Sequence, residues 1–294
     1  MTPATSPATA TLAAPSLATT KPVDAPGLHQ LVAYGPALYS GAVPEGDEGF
    51  ESLRAMGIRT IISVDGAQPD VDRAKKFGLR YVHLPIGYDG MSEDRAKEIA
   101  RAARDLPGPI YIHCHHGKHR SAGAAASTAV MLGYLDNDAA LARMKVSGTA
   151  PAYPGLFKCA ADARPASKAD LDSADASFPE HWKTSSFVQT MVEIDDVHDR
   201  LKLIDKAGWT VPTDHPDLVP AAEAGKLADL YRHAIESEDT RQLAPEMVEW
   251  LRTAQRNASK LEESIVAGTS REQVAAQMKL VSQSCNDCHV KYRN

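Results

Sequence analysis

Long apolar runs, cysteine and excess positive charge are all scarce in this 294-residue chain. No apolar stretch approaches the ~18 residues that a membrane-spanning helix needs, which excludes a helical span. Four cysteines are too few for a disulfide framework once their placement is considered: two sit in one short motif, one in a loop motif, and Cys159 is left over. The formal net charge is −6, so no global attraction to nucleic acid is expected. Hydrophobic residues make up 43% and charged residues 24%, ordinary values for a globular protein, and the length allows two domains.

Residues 1–27 are rich in Ala, Thr and Pro and bury little apolar surface, so they read as a disordered tail. They have neither a basic start nor a long apolar core, and do not read as a signal peptide. From Leu28 onward strand and helix patterns alternate. Ile58–Val64, Leu79–Ile86 and Pro109–His113 suit buried strands. Pro69–Phe77, Glu93–Asp105 and Ala-rich Ser121–Leu132 have helical composition. This alternation predicts an α/β domain over residues 28–163, with a central, mostly parallel sheet flanked by helices. Residues 164–182, rich in Ala, Ser and Asp and bounded by prolines, read as a linker. Four amphipathic segments follow in 183–294. Their apolar stripes include Phe187, Met191, Ile194, His198 and Leu201 in the first, and Val274, Met278, Val281, Cys285 and Cys288 in the last. Four such stripes are best buried as an all-α four-helix bundle.

The α/β half contains His113-Cys114-His115-His116-Gly117-Lys118-His119-Arg120-Ser121, after a strand and before a helix. A turn of this kind aims several backbone N–H groups at one point, and the helix N-terminus adds positive potential, so a phosphate dianion fits. Arg120 can grip two phosphate oxygens through its planar fork. The same field favours a Cys114 thiolate. Gly117 permits a backbone conformation that other residues resist, and the Ser121 hydroxyl can hydrogen-bond the thiolate.

On His113, Cys114, Gly117, Arg120 and Ser121 the chain resembles the dual-specificity branch of the protein tyrosine phosphatases. The likeness extends over residues 28–163, including Leu38-Tyr-Ser-Gly-Ala-Val-Pro44 and the helix-to-strand unit Phe50–Ile62. It implies a two-step phosphoester hydrolysis in which Cys114 becomes a phosphocysteine that water then cleaves. It also implies a carboxylic acid for the leaving oxygen. Asp89, in Pro85-Ile-Gly-Tyr-Asp-Gly-Met91 and 25 residues before Cys114, is the candidate, with a turn former beside Gly90 as the plain alternative. Asp94 reads as a helix cap and Asp65 as a strand end. Gly117-Lys118-His119-Arg120 is further similar to the loop of plant and fungal phosphatases acting on inositol pyrophosphates. That likeness makes His115, His116, Gly117, Lys118 and His119 candidate substrate-binding residues of an unusually cationic loop, on a polyphosphorylated small molecule or a phosphoprotein. A metal on the clustered histidines would quench Cys114 and is disfavoured.

Cys285-Asn-Asp-Cys288-His289 is the pattern for thioether attachment of one haem c, with His289 as the proximal iron ligand. No second Cys/His pair with ligand spacing supports zinc, and no thioredoxin-like strand–helix pattern follows. With the motif at the end of a fourth helix, followed by Tyr292 and Arg293, residues 183–294 resemble the c-prime cytochromes. In such a bundle the start of the first helix lies beside the end of the fourth. That makes Met191 a candidate distal residue, with His198 roughly 10 Å further along the axis. Haem attachment normally follows export, so a periplasmic or otherwise exported protein is expected, its leader not visible in this sequence.

Two functions from different classes remain at this point. One is a cysteine-dependent phosphatase carrying a haem module, with a phosphorylated substrate and a redox partner. The other is an electron-transfer or gas-binding cytochrome whose phosphatase-like half binds a phosphate ligand. Cys159 reads either as a small buried residue or as a resolving partner for Cys114.

Overall fold

The computed structural model describes residues 12–182, 186–237 and 239–292. The N-terminal part runs β1 (Val23–Ala25), β2 (Leu28–Gly35), β3 (Leu38–Ala42), α1 (Gly46–Ala55), β4 (Thr60–Ser63), α2 (Val71–Lys76), β5 (Arg80–His83), α3 (Glu93–Asp105), β6 (Ile110–Cys114), α4 (Arg120–Met131), α5 (Asn137–Val146) and α6 (Pro154–Asp162). Then come short α7 (Lys168–Asp172) and four long helices: α8 (Phe187–Lys206), α9 (Pro220–Glu236), α10 (Pro245–Val266) and α11 (Arg271–Tyr292).

The strand order is β1-β2-β3-β6-β4-β5. β3, β6, β4 and β5 pair in parallel, while β1/β2 and β2/β3 are antiparallel. The sheet is therefore mixed: its central strands pair in parallel, as expected, and an antiparallel edge is added to them. The antiparallel edge comes from the Leu28–Ala42 hairpin, whose Gly, Tyr and Ser residues do not form a β-branched run. Residues 12–27 also depart from the expected tail. Leu12 N–H donates to the Ala55 carbonyl, Leu12 and Ala14 pack on a buried cluster, and Val23–Ala25 forms β1. Residues 1–11 lie outside the described part.

Alternation along the strands sends Ile61, Tyr81 and Tyr111 to the face covered by α1 and α2. It sends Ile62, Val82, Ile110 and Ile112 to the face covered by α3–α6. α4 is buried along its whole length because it lies between the sheet and α3, α5 and α6. Its Ala/Gly/Ser composition allows that close approach on every side. Residues 164–182 are docked: Arg104 pairs with Asp172, Arg101 donates to the Asp172 carbonyl, and His83 Nδ1 accepts from Trp182 N–H.

In the C-terminal part, α8 packs on α9, α9 on α10 and α10 on α11. One buried cluster takes Ile194 and Leu201 from α8, Leu227 from α9, Leu261 from α10, and Met278 and Val281 from α11, following the expected stripes. Ala221 and Ala222, in the first turn of α9, instead join the α/β core, so the helical part is seated on the α/β part. Among the described residues no helix is long and apolar enough to cross a membrane.

Candidate functional site

Parallel strands β4, β5 and β6 end at one edge, where open α/β sheets bind their ligands. Register places Cys114 opposite Ala42 of β3 and His113 opposite Ser63 of β4. From there the chain turns through His115–His119 into α4, whose first residue is Arg120. Gly117 is required twice over. Its φ is +71°, and a Cβ would lie 2.2 Å from Ala42 N and 2.3 Å from Gly41 C. Cys114 is 3% exposed and its Sγ lies 3.4 Å from Ser121 Oγ. Thus Cys114, Ser121 and the N-terminus of α4 come together as expected.

Arg120 is 1% exposed. Its guanidinium lies 4.2 Å over the Tyr88 ring, and Nη2 donates to the Tyr88 hydroxyl at 3.1 Å and to Asp65 Oδ1 at 3.3 Å. Nη1 pairs with Asp229, which comes from α9. Arg232, also from α9, bridges both carboxylates at 2.5 Å. Burial works to push the Asp65 carboxyl up, but the Arg232 and Arg120 guanidiniums prevail and hold it below the ordinary carboxylate range. Asp229 goes the other way: burial, with the charge of Asp65 added, pushes it up despite both arginines. Arg120 Nε is buried and has no hydrogen-bond partner among the described residues.

Asp89 is exposed and lines the same open cavity as Arg120, Tyr88 and Asp229. Its carboxylate lies over Gly87, within a Gly87–Gly90 bridge, and the carboxylates on Arg120 are Asp65 and Asp229 instead. Asp94 sits in the first turn of α3, which is capped by Ser92.

The loop histidines are not equivalent: His115 and His119 are half-buried, while His116 is exposed. Burial pushes His115 and His119 down to about 3, and His116 is lowered for the same reason, with Arg232 and Arg120 adding repulsion. The His119 ring lies against Tyr153, and its Nδ1 accepts the Ala150 N–H. His115 lines a separate cavity with Asp65, Arg232 and His181. Lys118 is exposed, and its carbonyl accepts from Thr149 Oγ1. Cys159 Sγ accepts the Met91 N–H at 3.3 Å, and burial pushes its thiol up, which disfavours it as a resolving thiolate for Cys114.

In the helical part, Cys285, Cys288 and His289 share one face of α11, as their i, i+3 and i+4 spacing requires. They line a cavity of about 280 Å³ with Met191, His198 and Tyr231. His198 Nε2 is 2.9 Å from Ser282 Oγ, and the Tyr231 hydroxyl is 3.2 Å from Cys285 Sγ. Met191 and His198 therefore both reach the cavity, although they stand seven residues apart. Tyr292, expected after the motif, packs edge-on against Trp250 at 5.4 Å. Arg293 lies outside the described residues.

Sequence reasoning missed Asp229, Arg232 and the Tyr153–Glu262 pair, whose oxygens are 2.6 Å apart. A trace of them is present in the sequence: Ala221, Ala222, Gly225, Asp229 and Arg232 recur at helical spacing, a small-residue face with two charges on it. What that face meets is decided by the fold.

The mixed sheet thus sets Cys114, Arg120 and Ser121 together at one strand–loop–helix turn. No protein-family model matches the chain. It is 30% identical over 117 residues to the dual specificity protein phosphatase TpbA of Pseudomonas aeruginosa strain UCBPP-PA14, a match covering 38% of this chain and 52% of that protein. The chain thus spans about half the length of the curated relatives it matches. Among solved structures, P. aeruginosa TpbA in complex with pTyr aligns at 24% identity over 49% of this chain and 87% of that one, with TM-score 0.36. The core catalytic domain of a PP-IP phosphatase from S. cerevisiae aligns at 14% identity over 54% of this chain and 90% of that one, with TM-score 0.35.

Proposed function

We propose that the chain is a cysteine-dependent phosphatase acting on a phosphate monoester, with a c-type haem module in its C-terminal half. The observation that carries the first part is the β6–loop–α4 turn, with Cys114 Sγ 3.4 Å from Ser121 Oγ and Arg120 at the helix N-terminus. In the first step the Cys114 thiolate attacks phosphorus. The P–O bond to the leaving group breaks, and Asp89, on the shared cavity, supplies the proton to the departing oxygen. In the second step water attacks the phosphocysteine, the S–P bond breaks, and the Ser121 hydroxyl stabilises the departing thiolate. Backbone N–H groups of the loop and the start of α4 stabilise the phosphoryl oxygens throughout. The substrate is a phosphoprotein or a small polyphosphorylated molecule. The decisive experiment is Cys114→Ser, which should abolish phosphate release while the variant still binds inorganic phosphate. Full turnover by that variant would refute the mechanism.

The haem part rests on the donor set around the α11 cavity. Two free thiols one turn apart, an imidazole beside the second, and Met191 on the facing helix fit a covalently held haem c. Cys285 and Cys288 would form the thioethers, His289 would be the proximal ligand, and Met191 would stand on the distal side. The four long helices would then serve as a c-prime-like bundle. Once bound, the group supplies redox or gas-binding chemistry, which accounts for a redox partner. Haem attachment of this kind goes with export, so we place the protein in the periplasm or another exported compartment.

A further inference from the structure

We propose that the helical half is a built-in competitor for the phosphate site: Asp229 of α9 occupies Arg120, and a substrate phosphate must displace it. This rests on the phosphatase reading of the Cys114 loop and adds its regulation.

Arg120, a residue whose task is to hold a phosphate dianion, has Nη1 on a carboxylate from another part of the chain and Nη2 on Asp65 and Tyr88. Arg120 and Arg232 carry two positive charges, and Asp65 and Asp229 two negative ones. The cluster is thus neutral where a dianion has to land. Arg120 Nε alone remains, buried and unpartnered, a donor with no acceptor in the closed arrangement. The two carboxylates are not equivalent. Asp65 lies two residues beyond β4, its N–H on Ser63 Oγ and its carbonyl on His83 Nε2, and its carboxyl is held low. Asp229 is carried by α9, outside the sheet, and burial raises its carboxyl, so its anionic form is the less stabilised of the two.

α9 is shaped for this contact. Gly225, one turn before Asp229, faces Tyr88 so closely that a Cβ would lie 3.0 Å from the Tyr88 ring and 2.9 Å from Glu262 Oε1. Ala221 and Ala222 continue the same small face into the α/β core. The face therefore lets α9 approach until Asp229 meets Arg120. Tyr231, two residues beyond, turns to Cys285 instead, so the helix that closes one site also walls the other.

The test uses the full chain and inorganic phosphate as probe. Asp229→Asn keeps the shape but removes the competing charge. Gly225→Leu leaves Asp229 in place but wedges α9 away from Tyr88. Titration calorimetry should show phosphate binding about tenfold tighter or more in Asp229→Asn, since a charge-assisted bond no longer has to be broken. Gly225→Leu should move affinity in the same direction, and KM for nitrophenyl phosphate should fall in both. Unchanged or weaker phosphate binding in both variants overturns the proposal. So does a fall in kcat for Asp229→Asn with phosphate affinity unchanged, which would make Asp229 a reacting or supporting group. If Asp229→Asn fails to fold, Gly225→Leu decides. Placing Cys114→Ser beside these variants separates the two readings. Tighter phosphate binding in the variants, with turnover that does not depend on Cys114, would leave the competitor standing and remove the phosphatase mechanism.

Discussion

Glu262 offers the sharpest check on how the two halves are joined. It lies on α10, buried, and its Oε1 accepts the Tyr153 hydroxyl of the α/β half at 2.6 Å. Burial pushes its carboxyl from the ordinary 4.5 up to about 7, against the opposing pull of the Tyr153 hydrogen bond. Between those two values the folded protein keeps a proton that the unfolded chain has released, so the free energy of unfolding falls as pH rises through that window. The gap corresponds to at most ~3 kcal/mol. Glu262→Gln retains an acceptor for Tyr153 and cannot ionise. It should match the wild type near pH 4, below the ordinary value, and exceed it near pH 8, by an amount approaching that limit. Urea unfolding of both proteins at a series of pH values gives the difference directly, with every other titrating group cancelling to first order. A difference that does not vary between pH 4 and 8, or one that turns against the variant as pH rises, would refute the reasoning.

Gly117→Ala should cost about 1–2 kcal/mol from the left-handed backbone alone. The clash with Gly41 and Ala42 should also push the loop off β3 and lower turnover roughly 100-fold, read as kcat against the urea midpoint. Asp89→Asn should slow alkyl phosphates far more than nitrophenyl phosphate, since only the poor leaving group needs its proton; equal slowing would make Asp89 a turn residue. Pigment from a host with haem-attachment machinery should resist extraction into acidified acetone, and Cys285→Ala with Cys288→Ala should render it extractable. Met191→Ala should alter the visible spectrum of that pigment while leaving it covalently attached; an unchanged spectrum would remove Met191 from the distal side.

Local chemistry made a good part of this protein legible in its sequence. β4, β5 and β6 are short, β-branched or aromatic and lie between helices, so composition alone marks them. α3 is bounded by Ser92 and Pro107, and α4 by the loop and Gly133. The stripes of α8, α10 and α11 follow helical periodicity and are buried where that periodicity places them. The Cys114 loop and the Cys285–His289 motif are contiguous, so each is legible as a motif from local spacing alone. The hairpin Leu28–Ala42 was not readable as strands because its pairing partners, not its residues, make it a sheet edge.

Only tertiary structure decided the charges around those motifs. The loop histidines carry a cationic reading in one dimension; in three, half-burial of His115 and His119 penalises the charged ring, while His116 stays exposed. Asp65 stands far in sequence from Asp229 and Arg232, and the three meet at Arg120 only because α9 lies across the carboxyl ends of the strands. Sequence by itself determines which residues can do chemistry here, since reactivity begins with side-chain type and local spacing. Which of them are charged, occupied or free to act depends on burial and on long-range partners, and those exist only once the two halves are docked.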